Sequence, residues 1–278
     1  MRAMLGITLA GLALGCGGSE TGTVQVTTYG ESYIEEQIPA ASGGGEGFAD
    51  GYTVKFSKFL VALGGLSIAD RDGRVGTEHK GQKIFDVHGK GPHPVHTATI
   101  EARRWDRVGI SVAKAQGAVA GNAAAADVSL LNDKGYSVYV AGEAAKGGKK
   151  VTFAWGFTTE TGYRECREQT TGDGVAVPTG GTATIQFTIH GDHLFYDDLQ
   201  STDPSLRFEA IAAADADGNG EVTLDELAKV DLTTLPTGQY GTGGDGSVTH
   251  LGGFVTALTR TLVHYQGEGH CHSGGASH

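Results

Sequence analysis

Glycine fills 46 of the 278 positions and follows no collagen-like period, more than twice the ~7% share usual in proteins. A residue this permissive weakens helix and strand interiors alike, so the chain must form short elements joined by many turns. Hydrophobic residues make up 39% and charged residues 19%. That is enough apolar material for a core and too little charge for a disordered polymer. Up to His190 the runs between glycine-rich breaks alternate apolar and polar residues, the two-residue period of half-buried strands. They fall at 23–29, 52–56, 59–68, 83–87, 97–101, 108–112, 136–141, 150–158 and 182–190. The expectation is a mainly β chain, with 23–200 forming a β-sandwich or jelly-roll-like body. Phe153 and Trp155 alternate with Ala154 and Gly156, which assigns both rings to its core. An Ala-rich interruption at 122–132 reads as a short helix.

Past residue 200 the periodicity turns helical. Residues 204–214 form one candidate, with Asp203 placed to cap it and Pro204 in its first turn. A second is 224–230, and a third is 249–265, where Leu251, Phe254, Val255, Leu258, Leu262 and Tyr265 recur at three- and four-residue spacing. Residues 201–278 are therefore expected as a C-terminal helical module ending in a Gly- and His-rich tail.

Between the first two helical candidates stands Asp215-Ala-Asp217-Gly-Asn219-Gly220-Glu221-Val-Thr223-Leu-Asp225-Glu226. Calcium is a hard cation that takes six to eight oxygens at ~2.4 Å. Asp215, Asp217 and Asn219 at alternate positions offer three side-chain oxygens, and Gly220 permits the left-handed turn that brings the Glu221 carbonyl inward. Thr223 adds an oxygen directly or through water, and Glu226 supplies two at once. With its flanks, from Pro204 to Val230, this segment resembles the EF-hand family over roughly 30 residues. The resemblance implies calcium held by those six residues between two helices. EF-hands usually pair, and Gly246-Ser-Val248-Thr echoes Gly220-Glu-Val222-Thr, so Val222 and Val248 are candidates for a linking pair of strands. The second loop would hold no ion, since its ligand positions fall on Gly241, Gly243 and Gly252.

The amino terminus begins Met-Arg, continues with an apolar run of about 12 residues and reaches Leu-Ala-Leu-Gly-Cys16. That run is too short to cross a bilayer, which takes ~20 residues, and suits a signal-peptide core. It resembles the lipobox of bacterial lipoproteins, with Ala13 where leucine is commonest. The resemblance implies a signal peptide over 1–15, lipidation of Cys16 and a flexible tether over 16–22. Export to the cell envelope means an oxidising compartment. Of the three cysteines, Cys166 and Cys271 then remain to form one disulfide.

Eleven histidines supply a second metal-binding signal. They cluster at 79–96, at His190 and His193, and at His264, His270 and His272. His190, Asp192 and His193 are the candidate ligands of a zinc or copper ion, and a Cys166–Cys271 bridge would carry His270 or His272 toward them. No nucleophile elbow, metalloprotease helix or phosphate loop is present in the sequence, so binding is favoured over catalysis. The net charge of −11 excludes a phosphate-backbone binder. From 203 to 231 eight acids face two bases, a net −6 concentrated around the one loop. The leading expectation is an exported, lipid-anchored calcium-binding protein whose ion is structural. The alternatives are a periplasmic or cell-surface copper- or zinc-handling protein and, behind it, a metal-dependent hydrolase. The partners expected are calcium and a membrane, with no nucleic acid and no protein partner identified.

Overall fold

The structure, a computed structural model, describes residues 20–42, 45–168 and 172–274. The expected leader 1–15, Cys16 and most of the tether lie outside the described residues. Residues 21 and 22, taken as the end of the tether, already belong to the first strand.

The fold is mainly β. In chain order the strands are β1 (Thr21–Gly30), β2 (Thr53–Ala69), β3 (Val75–His79), β4 (Lys83–Asp86), β5 (His93–Glu101), β6 (Arg104–Trp105), β7 (Arg107–Val112), β8 (Val119–Ala120), β9 (Val138–Lys146), β10 (Lys149–Phe157), β11 (Thr161–Glu168), β12 (Gly172–Asp173), β13 (Val175–Ala176), β14 (Thr182–Ile189), β15 (Glu221–Val222), β16 (Val263–Tyr265) and β17 (His270–Gly274). The α-helices are α1 (Ser32–Glu35), α2 (Ala125–Lys134), α3 (Glu209–Ala212), α4 (Leu224–Leu227) and α5 (Leu251–Leu258). A four-stranded sheet runs β16-β14-β1-β5, and a larger curled one runs β12-β11-β7-β2-β9-β10-β15 with β17, β3, β4 and β8 attached at its sides.

β2 is one strand where the sequence suggested two. A bulge between Phe56 and Lys58 absorbs an extra residue and lets the ladder with β9 continue. Beyond it the alternation feeds two cores. Phe59, Val61 and Leu63 enter the main core. Leu60 and Ala62 face a smaller one with Ile84, Ala118 and Leu131, roofed by α2. Buried on both faces, this segment reads as an unbroken apolar run. The main core centres on rings: Phe195 lies 5.3 Å from Phe48, 6.0 Å from Phe56 and 6.4 Å from Trp155.

The C-terminal helices are shorter than their periodicity suggested. Over 204–214 only Glu209–Ala212 is helical, because Leu206 bridges to Phe48 and Tyr196 instead. The cap is not Asp203 but Asp50 from the body, whose Oδ2 accepts from the Phe208 and Glu209 amides at 2.6 and 2.7 Å. The long 249–265 pattern yields α5, then a 3-10 turn at Thr259–Thr261, then β16. Threonines end it: the Thr259 and Thr261 hydroxyls donate back to the Thr256 and Leu258 carbonyls, a competition that disfavours helix interiors. Three tail strands join the body's sheets, β15 on β10, β16 on β14 and β17 on β11. The tail is thus woven into the body rather than standing as a helical module beside it. Cys166 and Cys271 form a disulfide that ties β17 to β11.

Candidate metal centres

The acidic loop folds around its own backbone. Asp215 Oδ1 and Oδ2 accept from the Asn219 and Gly220 amides, and Asp217 Oδ1 also accepts from Asn219 N. Gly218 and Gly220 take φ of 71° and 82°. A methyl on Gly220 would meet nothing within 4 Å, so torsion and not space requires glycine there. Glu226 closes the loop from α4. Its Oε1 accepts from Ala216 N, and its Oε2 accepts from the Thr223 amide and hydroxyl. Those Thr223 bonds hold the Glu226 carboxyl below its usual range. Asp215, Asp217 and Glu226 each bring one carboxylate oxygen within 4.8 Å of the others. Asn219 contacts Asp217 through its amide, Thr223 caps α4, and the Glu221 side chain is exposed within β15. Three carboxylates with nearby carbonyl, amide and hydroxyl oxygens are a donor set for a hard cation.

The expected link from Val222 to Val248 is not what the structure has. Val222 pairs with Phe153 in a parallel ladder between β15 and β10. Thr152 N donates to the Gly220 carbonyl and Trp155 Nε1 to the Val222 carbonyl, both at 2.8 Å. The body strand β10, and not the segment around Val248, is the partner of Val222. Around the echo of the motif, Asp245 bonds its own neighbour Ser247.

The second centre gathers residues far apart in sequence. His190 directly follows β14, and its amide donates to the Leu262 carbonyl. His264 pairs with Thr188 across the β14–β16 ladder, which makes it the diagonal neighbour of His190. His193 follows on a 3-10 turn, Asp192–Phe195, anchored by Phe195 in the aromatic core. Ring centroids lie 4.2 Å apart for His190 and His264, 5.2 Å for His190 and His193, and 5.0 Å for His193 and His264. His270 borders His264 at 5.2 Å. His272 points elsewhere, its Nδ1 lying 3.2 Å from Glu165. The disulfide therefore brings one tail histidine to the cluster and leaves the other outside.

Two sets of ligand atoms, each within 4.8 Å, share His190: one with Asp192 and His193, the other with His264 and Glu268. His193 Nδ1 lies 2.9 Å from the Thr261 carbonyl, which fixes the proton on that nitrogen and leaves Nε2 with its lone pair. Burial, opposed by Asp192 and reinforced by His190, lowers the His193 pKa to about 4. Burial and the three neighbouring imidazoles push His264 down to about 2. Both rings are neutral at pH 7, the form that ligates metals. Beside them burial and then Asp192 raise the Glu31 carboxyl to about 9. Burial and Asp192 also push the Tyr196 hydroxyl up, and that hydroxyl donates to Asp192 Oδ2 at 3.2 Å.

Of this constellation the sequence singled out His190, Asp192 and His193. Glu31 and Glu268 carried no sequence signal, and His264 was visible only as one more tail histidine. The chain matches no family model, no curated protein and no solved structure.

Proposed function

We propose that this protein is an exported calcium-binding protein, lipid-anchored at Cys16, in which one ion at Asp215–Glu226 staples the C-terminal segment to the β body. The observation that carries the reading is the convergence of Asp215, Asp217 and Glu226 within 4.8 Å, in a loop whose own Glu221 and Val222 pair with β10. Glu221 contributes its carbonyl, Asn219 and Thr223 their side-chain oxygens. In EF-hand terms α3, the loop and α4 form a shortened helix–loop–helix on a sandwich-like body. A structural role is favoured over sensing. Sensors expose a Met-rich groove when calcium binds, and here the only methionines are Met1 and Met4. Calcium outside the cytoplasm is abundant enough to keep a weak site filled.

Calorimetry on the chelated full chain tests the reading. One equivalent of calcium should bind, and Asp215→Ala or Glu226→Ala should remove it. Binding that survives both substitutions overturns the assignment. Mass spectrometry of the native N-terminus tests the anchor, where an unmodified start beyond residue 16 contradicts it.

A further inference from the structure

The imidazoles gathered between the end of β14 and β16 serve nothing in the calcium reading. We propose that His190, His193 and His264 form a solvent-reachable transition-metal centre that takes one Cu(II) or Zn(II) ion, with Asp192 and Glu268 flanking it. Its three rings lie within 5.2 Å of one another, centre to centre. Their nearest alternative is the ordinary one, histidines satisfied inside a core, and two atoms argue against it. His264 Nδ1 and Asp192 Oδ1 are both buried without a hydrogen-bond partner. Buried polar atoms are almost always partnered, so an unpaired ring nitrogen and an unpaired carboxylate oxygen in one cluster point to a cation as the missing partner.

The ligand types select the ion. Imidazole suits zinc and copper, whereas calcium and magnesium take oxygen. The Thr261 carbonyl on His193 Nδ1 is the backing that metal-bound histidines use to fix their tautomer. Each converging set, His190 and His193 with Asp192 or His190 and His264 with Glu268, leaves room in a tetrahedral shell for the third imidazole or an exogenous ligand, as in centres that exchange or react rather than merely brace a fold. The Glu268 side chain is 75% exposed beside His264, which gives the ion a route in and out. The two centres share no ligand.

The test uses the full chain, stripped with chelator, with excess calcium restored before Cu(II) or Zn(II) is titrated by calorimetry. One equivalent should bind in either arm, and the Cu(II) form should show nitrogen superhyperfine structure in its electron paramagnetic resonance spectrum. His193→Ala and His264→Ala should each weaken binding ~100-fold or more and alter that spectrum. The controls His272→Ala, on an exposed ring, and His79→Ala, on a ring stacked against His96 away from the cluster, should change neither. His264→Gln keeps most of the side-chain volume, and circular dichroism with an intact disulfide certifies its fold. Absence of binding overturns the proposal. So does binding that survives His193→Ala and His264→Ala but is lost in a His270→Ala, His272→Ala double variant, which would place the ion on the tail.

Discussion

The two candidate metal centres of this protein are built in opposite ways. The oxygen loop takes every ligand from one twelve-residue stretch, and its shape follows from turn glycines and side-chain bonds to its own amides. The histidine cluster takes its groups from the residue after β14, the 3-10 turn beyond it, and β16, with Glu31 and Glu268 brought up from elsewhere. One is preorganised by local chemistry and lies at the surface. The other exists only once two strands have paired and the aromatic core has fixed a 3-10 turn. A contiguous site can thus survive damage to distant contacts, whereas an assembled one inherits every weakness of the sheet that assembles it.

The largest effect should come from the disulfide. Cys166 and Cys271 are 105 residues apart, and losing a cross-link over such a loop costs about 5 kcal/mol by chain entropy. In a Cys166→Ser, Cys271→Ser double variant, urea unfolding should show that loss. Transition-metal affinity should fall with it, since β17 carries His270 against His264, while calcium affinity stays unchanged. Equal weakening of both ions would erase the distinction between a local and an assembled site.

Next comes calcium itself. Calcium at a hundred times its dissociation constant should stabilise the wild type by about 2.7 kcal/mol. Asp215→Ala should remove that gain without altering copper or zinc binding. If calcium instead stabilises the variant equally, the loop is not the site.

A smaller effect is set by pH and belongs to the histidine region alone. In chelated protein His193 and His264 titrate near 4 and 2 against an ordinary 6.5, and Glu31 near 9 against 4.5. Between pH 4.5 and 6.5 the unfolded chain holds two histidine protons that the folded one lacks, and the folded one holds only the extra proton of Glu31. Stability therefore falls as pH drops through this window. From 6.5 to 9 the folded state keeps the additional Glu31 proton, so stability falls as pH rises. These three groups place a maximum near pH 6.5, with slopes of about 1.4 kcal/mol per pH unit on either side. Thermal melts across pH 5–9 check this, and His264→Ala should flatten the acid limb.

The smallest is Gly220→Ala. With no steric neighbour and a φ of 82°, it should cost about 1 kcal/mol of torsional strain. Calcium binding should weaken while the histidine centre is unaffected, which comparative calorimetry would read.

Alternation within single strands, such as Thr182–Ile189, was legible from neighbours two residues apart. So was the acidic loop, whose ligands recur at fixed short offsets. Helix lengths were not. The apolar face at 249–265 continues past Leu258, yet Val263–Tyr265 gains sheet bonds to Phe187–Ile189 that the local pattern could not reveal. β11 was missed because Arg164, Glu165, Arg167 and Glu168 give it a charged texture, although strands flank it on both sides.

The sequence by itself determined that the chain is mainly β and that one stretch gathers carboxylates at short offsets, because those properties depend on residues a few positions apart. Tertiary structure alone decided that Glu221–Val222 pairs with β10, and that His264 meets His190. Register between strands is chosen by burying whole faces at once. Which distant side chains come to share a corner is a consequence of that choice.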